Sequence, residues 1–146
     1  MSNLIIFWHR RDLRISDNLG LTAARSQSSN IVGIFCLDPH ILNRDDIATA
    51  RMTYMIGCLE ELQQNYLQAG SELLIIREKP VKAIPTLANI LNAQAVHWNL
   101  DVEPYAQERD DSVKQALHEQ GIDVYTHWDQ LLHPAGKILT KSTGKP

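Results

Sequence analysis

The chain has 146 residues, 44% of them hydrophobic and 21% charged, which suits one ordinary globular domain with a real hydrophobic core. That composition excludes a disordered tail, a collagen-like chain and a disulfide-stapled miniprotein. Fourteen Lys and Arg against 17 Asp and Glu give a formal charge of −3, which argues against a surface built mainly to grip a phosphate backbone.

The first predicted element is a strand over Leu4–Trp8 (LIIFW). Asp17 or Asn18 then caps a helix carrying Leu19, Leu21, Ala23 and Ala24, because a short side-chain oxygen satisfies free N–H groups there. A second strand follows over Ile31–Leu37. The next helix, Ala48–Ala69, places Met52, Met55, Ile56, Leu59, Leu62 and Tyr66 three or four residues apart, and Gly70 ends it. After a strand over Glu72–Ile76, Pro80 opens a helix with Ile84, Leu87, Ile90 and Leu91. A strand over Ala95–Asn99 leads to a helix opened by Pro104, with Tyr105, Val113, Ala116 and Leu117 inward and Gly121 as its stop. Ile122–His127 is the last strand.

Nearly continuous apolar character marks the first three strands as buried on both faces. Crossovers of helical length favour parallel neighbours, and right-handed crossovers lead to an open doubly wound, Rossmann-like α/β sheet. The expected order of its five strands is 3-2-1-4-5, with helices on both faces. The segment His133–Pro146 differs in composition, with three lysines, no acid, two glycines and two prolines. It reads either as a frayed tail or as a linker.

Cys36 and Cys58 lie in no metal or CxxC spacing and read as reduced thiols of a cytosolic protein. Leu4–Trp8 is too short for a signal peptide, and no window approaches the roughly 18–20 apolar residues of a membrane span. The expected location is cytoplasmic, with no membrane partner.

In such a sheet, ligands sit beyond the carboxyl ends of the strands where the order reverses, here between the first and fourth strands. The loops His9–Arg14, Cys36–His40 and Asn99–Tyr105 bring Arg10, Arg11, Asp12, Arg14, Asp38, Asp101, Glu103 and Tyr105 to that crevice. Mixed charge and apolar walls suit a flat polar ligand. Neither a GxGxxG fingerprint nor a P-loop is present, and the six histidines form no compact ligand pair. No acid–base or nucleophilic constellation stands out.

The run FWHRRDLRISDN over residues 7–18 is the most specific signal. On plain structural grounds Asp12 pairs with Arg10 or Arg14, and Asp17–Asn18 starts the helix. As a whole string, however, it resembles the N-terminal signature of DNA photolyases and cryptochromes. The likeness continues through GLTAARSQ, GIFCLDPHIL, the Arg51 helix with GCLEELQQ, VHWNLDVEPYAQERD and WDQLLHPAGKIL, and so covers essentially the whole chain. It is greatest toward cyanobacterial photolyases with a deazaflavin antenna.

That resemblance implies an antenna-chromophore domain over residues 1–132 and, over 133–146, the start of a linker to an FAD-binding helical domain that this chain lacks. The implied activity is that of a deoxyribodipyrimidine photolyase. Its antenna passes excitation energy to FAD, which repairs cyclobutane pyrimidine dimers, and damaged DNA is bound through the helical half. The chain alone is then expected to be inactive. The implied antenna is 8-hydroxy-5-deazaflavin, with methenyl-tetrahydrofolate as the alternative. Phe35, Cys36, Leu37 and Asp38 are placed along the pigment ring and Arg51 nearby, with a salt bridge to Asp45 or Asp46 as its plain alternative. Asp101 and Glu103 accept hydrogen bonds, and Arg10 and Tyr105 shape the mouth. A cation such as Arg51 or Arg10 would favour an anionic pigment. Trp8 and Trp98 are expected to pack in the core or wall the pocket. A blue-light-sensing cryptochrome and a stand-alone nucleotide-binding or interaction module are the alternatives.

Overall fold

The computed structural model describes residues 3–10, 12–39, 49–101 and 103–128. The segment 133–146 therefore lies outside the described residues, as do Arg11, His40, Asp45 and Asp46. Strands and helices alternate as β1 (Ile5–His9), α1 (Leu19–Gln27), β2 (Ile31–Cys36), α2 (Thr49–Gln68), β3 (Glu72–Ile76), α3 (Pro80–Ile90), β4 (Ala95–Asn99), α4 (Pro104–Glu119) and β5 (Asp123–His127). The strands form one parallel sheet in the order β3-β2-β1-β4-β5, as the crossover argument expects. Central β1 pairs Trp8 with Ile34 of β2 and with Trp98 of β4.

The two-residue period of a strand sorts the core into two faces. Ile6, Trp8, Ile34, Val96 and Trp98 pack with Ile84 and Ala88 of α3 and with Val113 and Leu117 of α4. On the other face Ile5, Phe7, Ile31 and Ala95 meet Leu21 and Ala24 of α1. Phe35 and Leu73 meet Leu59, Leu62 and Tyr66 of α2. Each fully buried large side chain contributes roughly 1.5–3 kcal/mol. A one-residue slip would exchange the two faces and lose most of that.

Helix ends follow from local chemistry. Asn18 is the N-cap of α1, its side chain accepting the Leu21 N–H. Gly70 and Gly121, at φ 83° and 74°, take the left-handed conformation just after α2 and α4.

Four apolar side chains of the expected helices do not face inward. Ile90 is 70% exposed, Leu19 61%, Ile56 49% and Tyr105 46%. The buried stripe of α4 runs Ala106, Asp110, Val113, Leu117, spaced four, three and four residues apart. Tyr105 lies one residue, about 100°, off that stripe. Ile56 is displaced in the same way from the α2 stripe through Leu59, Leu62 and Tyr66.

Candidate functional site

The carboxyl edge of the sheet is held by a buried polar hub. After β1 the Asp12 carboxylate accepts the Arg10 backbone N–H at 2.9 Å and the Asn99 and Asn18 side-chain amides at 2.6 and 3.3 Å. Asn99, at the end of β4, returns its Oδ1 to the Gly20 N–H at 3.1 Å. A Cβ on Gly20 would lie 2.3 Å from that oxygen, so only glycine lets α1 approach β4 this closely.

His9, fully buried at the end of β1, completes the hub. Its Nδ1 lies 2.9 Å from the Asp12 carbonyl, which can only accept, so Nδ1 carries the proton. Nε2 then accepts from the Tyr66 hydroxyl at 2.5 Å. Burial lowers the His9 pKa, overcoming the opposing pull of Asp12, and keeps the ring neutral.

Directly over the β1–β4 junction the space is bridged by side chains. Arg10 Nη1 pairs with Asp110 of α4 at 2.6 Å, and Nη2 donates to the Asn99 carbonyl. Its guanidinium lies 4.8 Å from the Trp8 ring. Asp12 is thus no partner for the Arg10 side chain, contrary to the sequence expectation. Hydrogen bonding decides the pairing. The two carboxylates are equally buried, at 6% and 5% exposed, but Asp12 is already satisfied by three N–H donors, whereas Asp110 on the inner stripe of α4 needs a cation. Arg109 shares Asp110, its Nε 3.3 Å from the same oxygen, and lies over both Trp8 and Tyr105 at 5.2 and 5.9 Å. Trp8 and Trp98 meet edge to face at 5.1 Å inside the core.

An open cleft lies beside this bridge, on the α3–α4 side of the β2 end. Its volume is about 330 Å³, and it is lined by Asp38, Lys79, Pro80, Val81, Tyr105, Glu108, Arg109 and Ser112. The sheet therefore keeps its expected switch point, with the Arg10–Asp110 pair across it, and this cleft lies on the β2 side of that pair.

Of the residues the sequence assigns to the site, the cleft brings together Asp38 and Tyr105, with the Tyr105 hydroxyl donating to Asp38 Oδ2 at 3.3 Å. Phe35 and Leu37 pack toward α2 while Cys36 packs on the opposite face, so these neighbours do not share one wall. Burial, with Asp38 nearby, pushes the Cys36 thiol up to about 12, and no thiolate is available. Arg10 is committed to Asp110, and Arg51 is exposed in the first turns of α2. Asp101 is buried and accepts the Glu103 N–H at 3.1 Å, with Glu103 exposed at the start of α4. Sequence reasoning missed Lys79, Val81, Glu108, Arg109 and Ser112 as lining residues. The signals were Pro80 as a helix start and the ERD triplet that carries Arg109. Among the described residues no group of three or more His, Cys, Asp or Glu is arranged for a metal ion. No described helix is long and apolar enough to cross a membrane.

The cleft offers an aromatic surface, two cations and a buried carboxylate, which suits holding a planar heterocycle more than turning one over. Comparison with known proteins gives the chain its relatives. The family described as DNA photolyase matches residues 5–146. A deoxyribodipyrimidine photo-lyase of Synechococcus sp. is 55% identical over 146 residues, covering 100% of this chain. This chain spans 30% of that relative's length. Among solved structures, a bacterial class III photolyase from Agrobacterium tumefaciens superposes with a TM-score of 0.85 at 27% identity, over 99% of this chain and 29% of its own. An archaeal photolyase from Sulfolobus tokodaii, described with two FAD molecules and a novel light-harvesting cofactor, gives 0.84 at 30% identity, over 90% and 30%.

Proposed function

The chain belongs to the DNA photolyase family, and we propose that it is the antenna-chromophore domain of a deoxyribodipyrimidine photolyase. In this reading the remaining length seen in relatives carries FAD and the DNA-binding surface, and light gathered here serves the repair of pyrimidine dimers. The observation that carries it is the 55% identity to the Synechococcus enzyme across every part of this chain. The site supports it: the described residues at the carboxyl edge form a cleft with an aromatic face, cations and a buried carboxylate beside a rigid hydrogen-bonded hub.

A bound antenna pigment supplies light absorption and excitation transfer. The residues present fit such a group. Tyr105 offers a ring face, Pro80 and Val81 an apolar ledge, and Asp38 an acceptor for ring N–H groups. The Asp12–Asn99–Gly20 hub and the Arg10–Asp110 pair keep this edge rigid, which a pigment needs because transfer depends on a fixed orientation. Asp101, Glu103 and Arg51 are proposed to complete the contacts from the neighbouring loops.

Reconstitution tests this. The chain is mixed with 8-hydroxy-5-deazaflavin or methenyl-tetrahydrofolate, passed through a desalting column, and its absorbance and fluorescence are recorded. Stoichiometric retention of the deazaflavin, weakened at least tenfold by Asp38→Ala, is the expected result. Retention of neither pigment, by the chain or by a longer homologous protein that contains it, rejects the antenna role. Selective retention of the folate keeps the role and replaces the pigment.

A further inference from the structure

Arg10 and Arg109 share a single carboxylate. Asp110 turns the same Oδ1 to both, at 2.6 and 3.3 Å, and the three side chains are only 8%, 14% and 7% exposed. The trio carries one unit of positive charge that Asp110 does not cancel, in a setting where an uncompensated charge is costly. Arg10 spends one bond from each Nη, on Asp110 and on the Asn99 carbonyl. Arg109 spends Nε on Asp110 and its flat face on Trp8 and Tyr105, and among the described residues neither Nη finds an acceptor.

The geometry points to a seat for an anionic group at Arg109, filled by the carboxylate or phosphate arm of a ligand whose aromatic ring lies in the α3–α4 cleft. This rests on the antenna reading only in taking that ring to be flavin-like. A guanidinium held by Nε presents its remaining N–H groups as a planar fork, which matches a carboxylate or phosphate with two parallel bonds. Lys79 lines the same cleft and adds a second, exposed cation. The acids do not compete for the seat, since Asp38 accepts from Tyr105 and Glu108 is exposed. Polarity thus runs from Asp38, which suits ring N–H groups, to Arg109, which suits the negative arm. Tyr105 and Val81, 46% and 42% exposed, give the ring its surface. The volume of about 330 Å³ sits at the small end of ligand sites, which run from about 300 to 1,000 Å³. It accommodates a fused ring, with an arm free to run along the open side of the cleft.

Riboflavin and FMN share one ring and differ by a phosphate, so their binding to the 146-residue protein isolates the arm. By quenching of flavin fluorescence at low salt, FMN is expected to bind about ten- to a hundredfold more tightly than riboflavin, the worth of one bidentate charge-assisted pair. Arg109→Gln should shrink that preference below about threefold, and Arg109→Lys, which keeps the charge and loses the fork, should fall between. If Arg109→Gln does not fold, salt decides on the unaltered protein, because raising it should weaken FMN and spare riboflavin. Equal affinities, or an FMN preference indifferent to Arg109 and to salt, overturn the anion seat while leaving the antenna reading intact. Binding of 8-hydroxy-5-deazaflavin with neither flavin bound does the same. Binding of none of the three ligands defeats the seat, and the antenna reading falls with it only when the longer homologous protein retains neither the deazaflavin nor the folate.

Discussion

Truncating Arg10 to alanine separates a structural role from a ligand-binding one. The change leaves Asp110 buried without its best partner, and Asp110 Oδ2 already lacks any hydrogen bond. Removing one member of a buried ion pair costs about 3–5 kcal/mol. Two further losses add to it: the bond to the Asn99 carbonyl, about 1 kcal/mol, and the cation over Trp8, about 0.5–2 kcal/mol. Arg109 works the other way, because its Nε already lies 3.3 Å from the same carboxylate and can take over part of the neutralisation. The expected net loss for Arg10→Ala is therefore about 3–5 kcal/mol, the additions and the compensation roughly cancelling. For a chain of this size that lowers Tm by roughly 6–20 °C. The double variant Arg10→Met with Asp110→Leu should recover to within about 2 kcal/mol of the parent, since it removes both charges and fills the space, while Arg109 keeps access to water through the cleft. Urea unfolding at pH 7, followed by circular dichroism, measures all three proteins. A single variant costing under about 1 kcal/mol, or a double variant no more stable than the single, refutes the account of Arg10 as a buried clamp.

Other expectations follow from the same edge. Gly20→Ala should cost about 2–3 kcal/mol in urea unfolding despite the better helix former, because the new Cβ meets Asn99 Oδ1 at 2.3 Å and the Phe7 ring at 3.0 Å. Tyr66→Phe deprives His9 Nε2 of its donor inside the core and should cost about 1–3 kcal/mol by the same measurement; a loss under about 0.5 kcal/mol would show that the bond is replaced. His97, stacked with Tyr125 and His127 and with its Nδ1 3.0 Å from His127 Nε2, is held down to about 4 by burial and then by His127. The unfolded ring titrates near 6.5, so the unfolded state binds more protons and stability falls as pH drops from about 6.5 to about 4, by at most roughly 3 kcal/mol. His97→Asn should flatten that part of the pH–stability curve, and an unchanged slope assigns it to other groups.

The fold was legible because its signals are local and repeated. LIIFW and IVGIFCL read as doubly covered strands and are largely buried. ELLII, expected to be the same, forms the edge strand β3 with only Leu73 buried, because an edge strand has a neighbour on one side alone. Gly70, Pro80, Pro104 and Gly121 mark helix ends by backbone chemistry. Strand order then followed from crossover handedness. The inward faces of α2 and α4 were less legible, since Ile56 and Tyr105 sit one residue from the buried stripe and only packing shows on which side the stripe falls. The site was legible to the level of its loops. Residue by residue it was not, because spacing does not reveal that Asp110 would lie inward on α4 and draw Arg10 across the junction. That Phe35 and Cys36 face opposite sides of the sheet does follow from the two-residue period of the predicted strand, and the resemblance-based grouping of both along one pigment ring passed over it.

The displacement of this cleft from the junction bears on what the domain can do. A switch point left open invites a ligand to lie on the strand ends, where backbone groups alone would hold it. Here a cation buried beside Trp8 bridges the strand ends to α4, and the described cleft lies against a wall made by α3, α4 and Asp38. On the proposed seat, helix side chains would set the ligand's chemistry, while the β1–β4 seam fixes the position of α4 through Asp110. Because Arg10 at the seam and Arg109 at the cleft share that one carboxylate, orientation of a ligand at Arg109 would be coupled to rigidity of the fold through Asp110. Such coupling is costly in a catalyst that must move with its substrate, and it suits a site whose task is to keep a ring still.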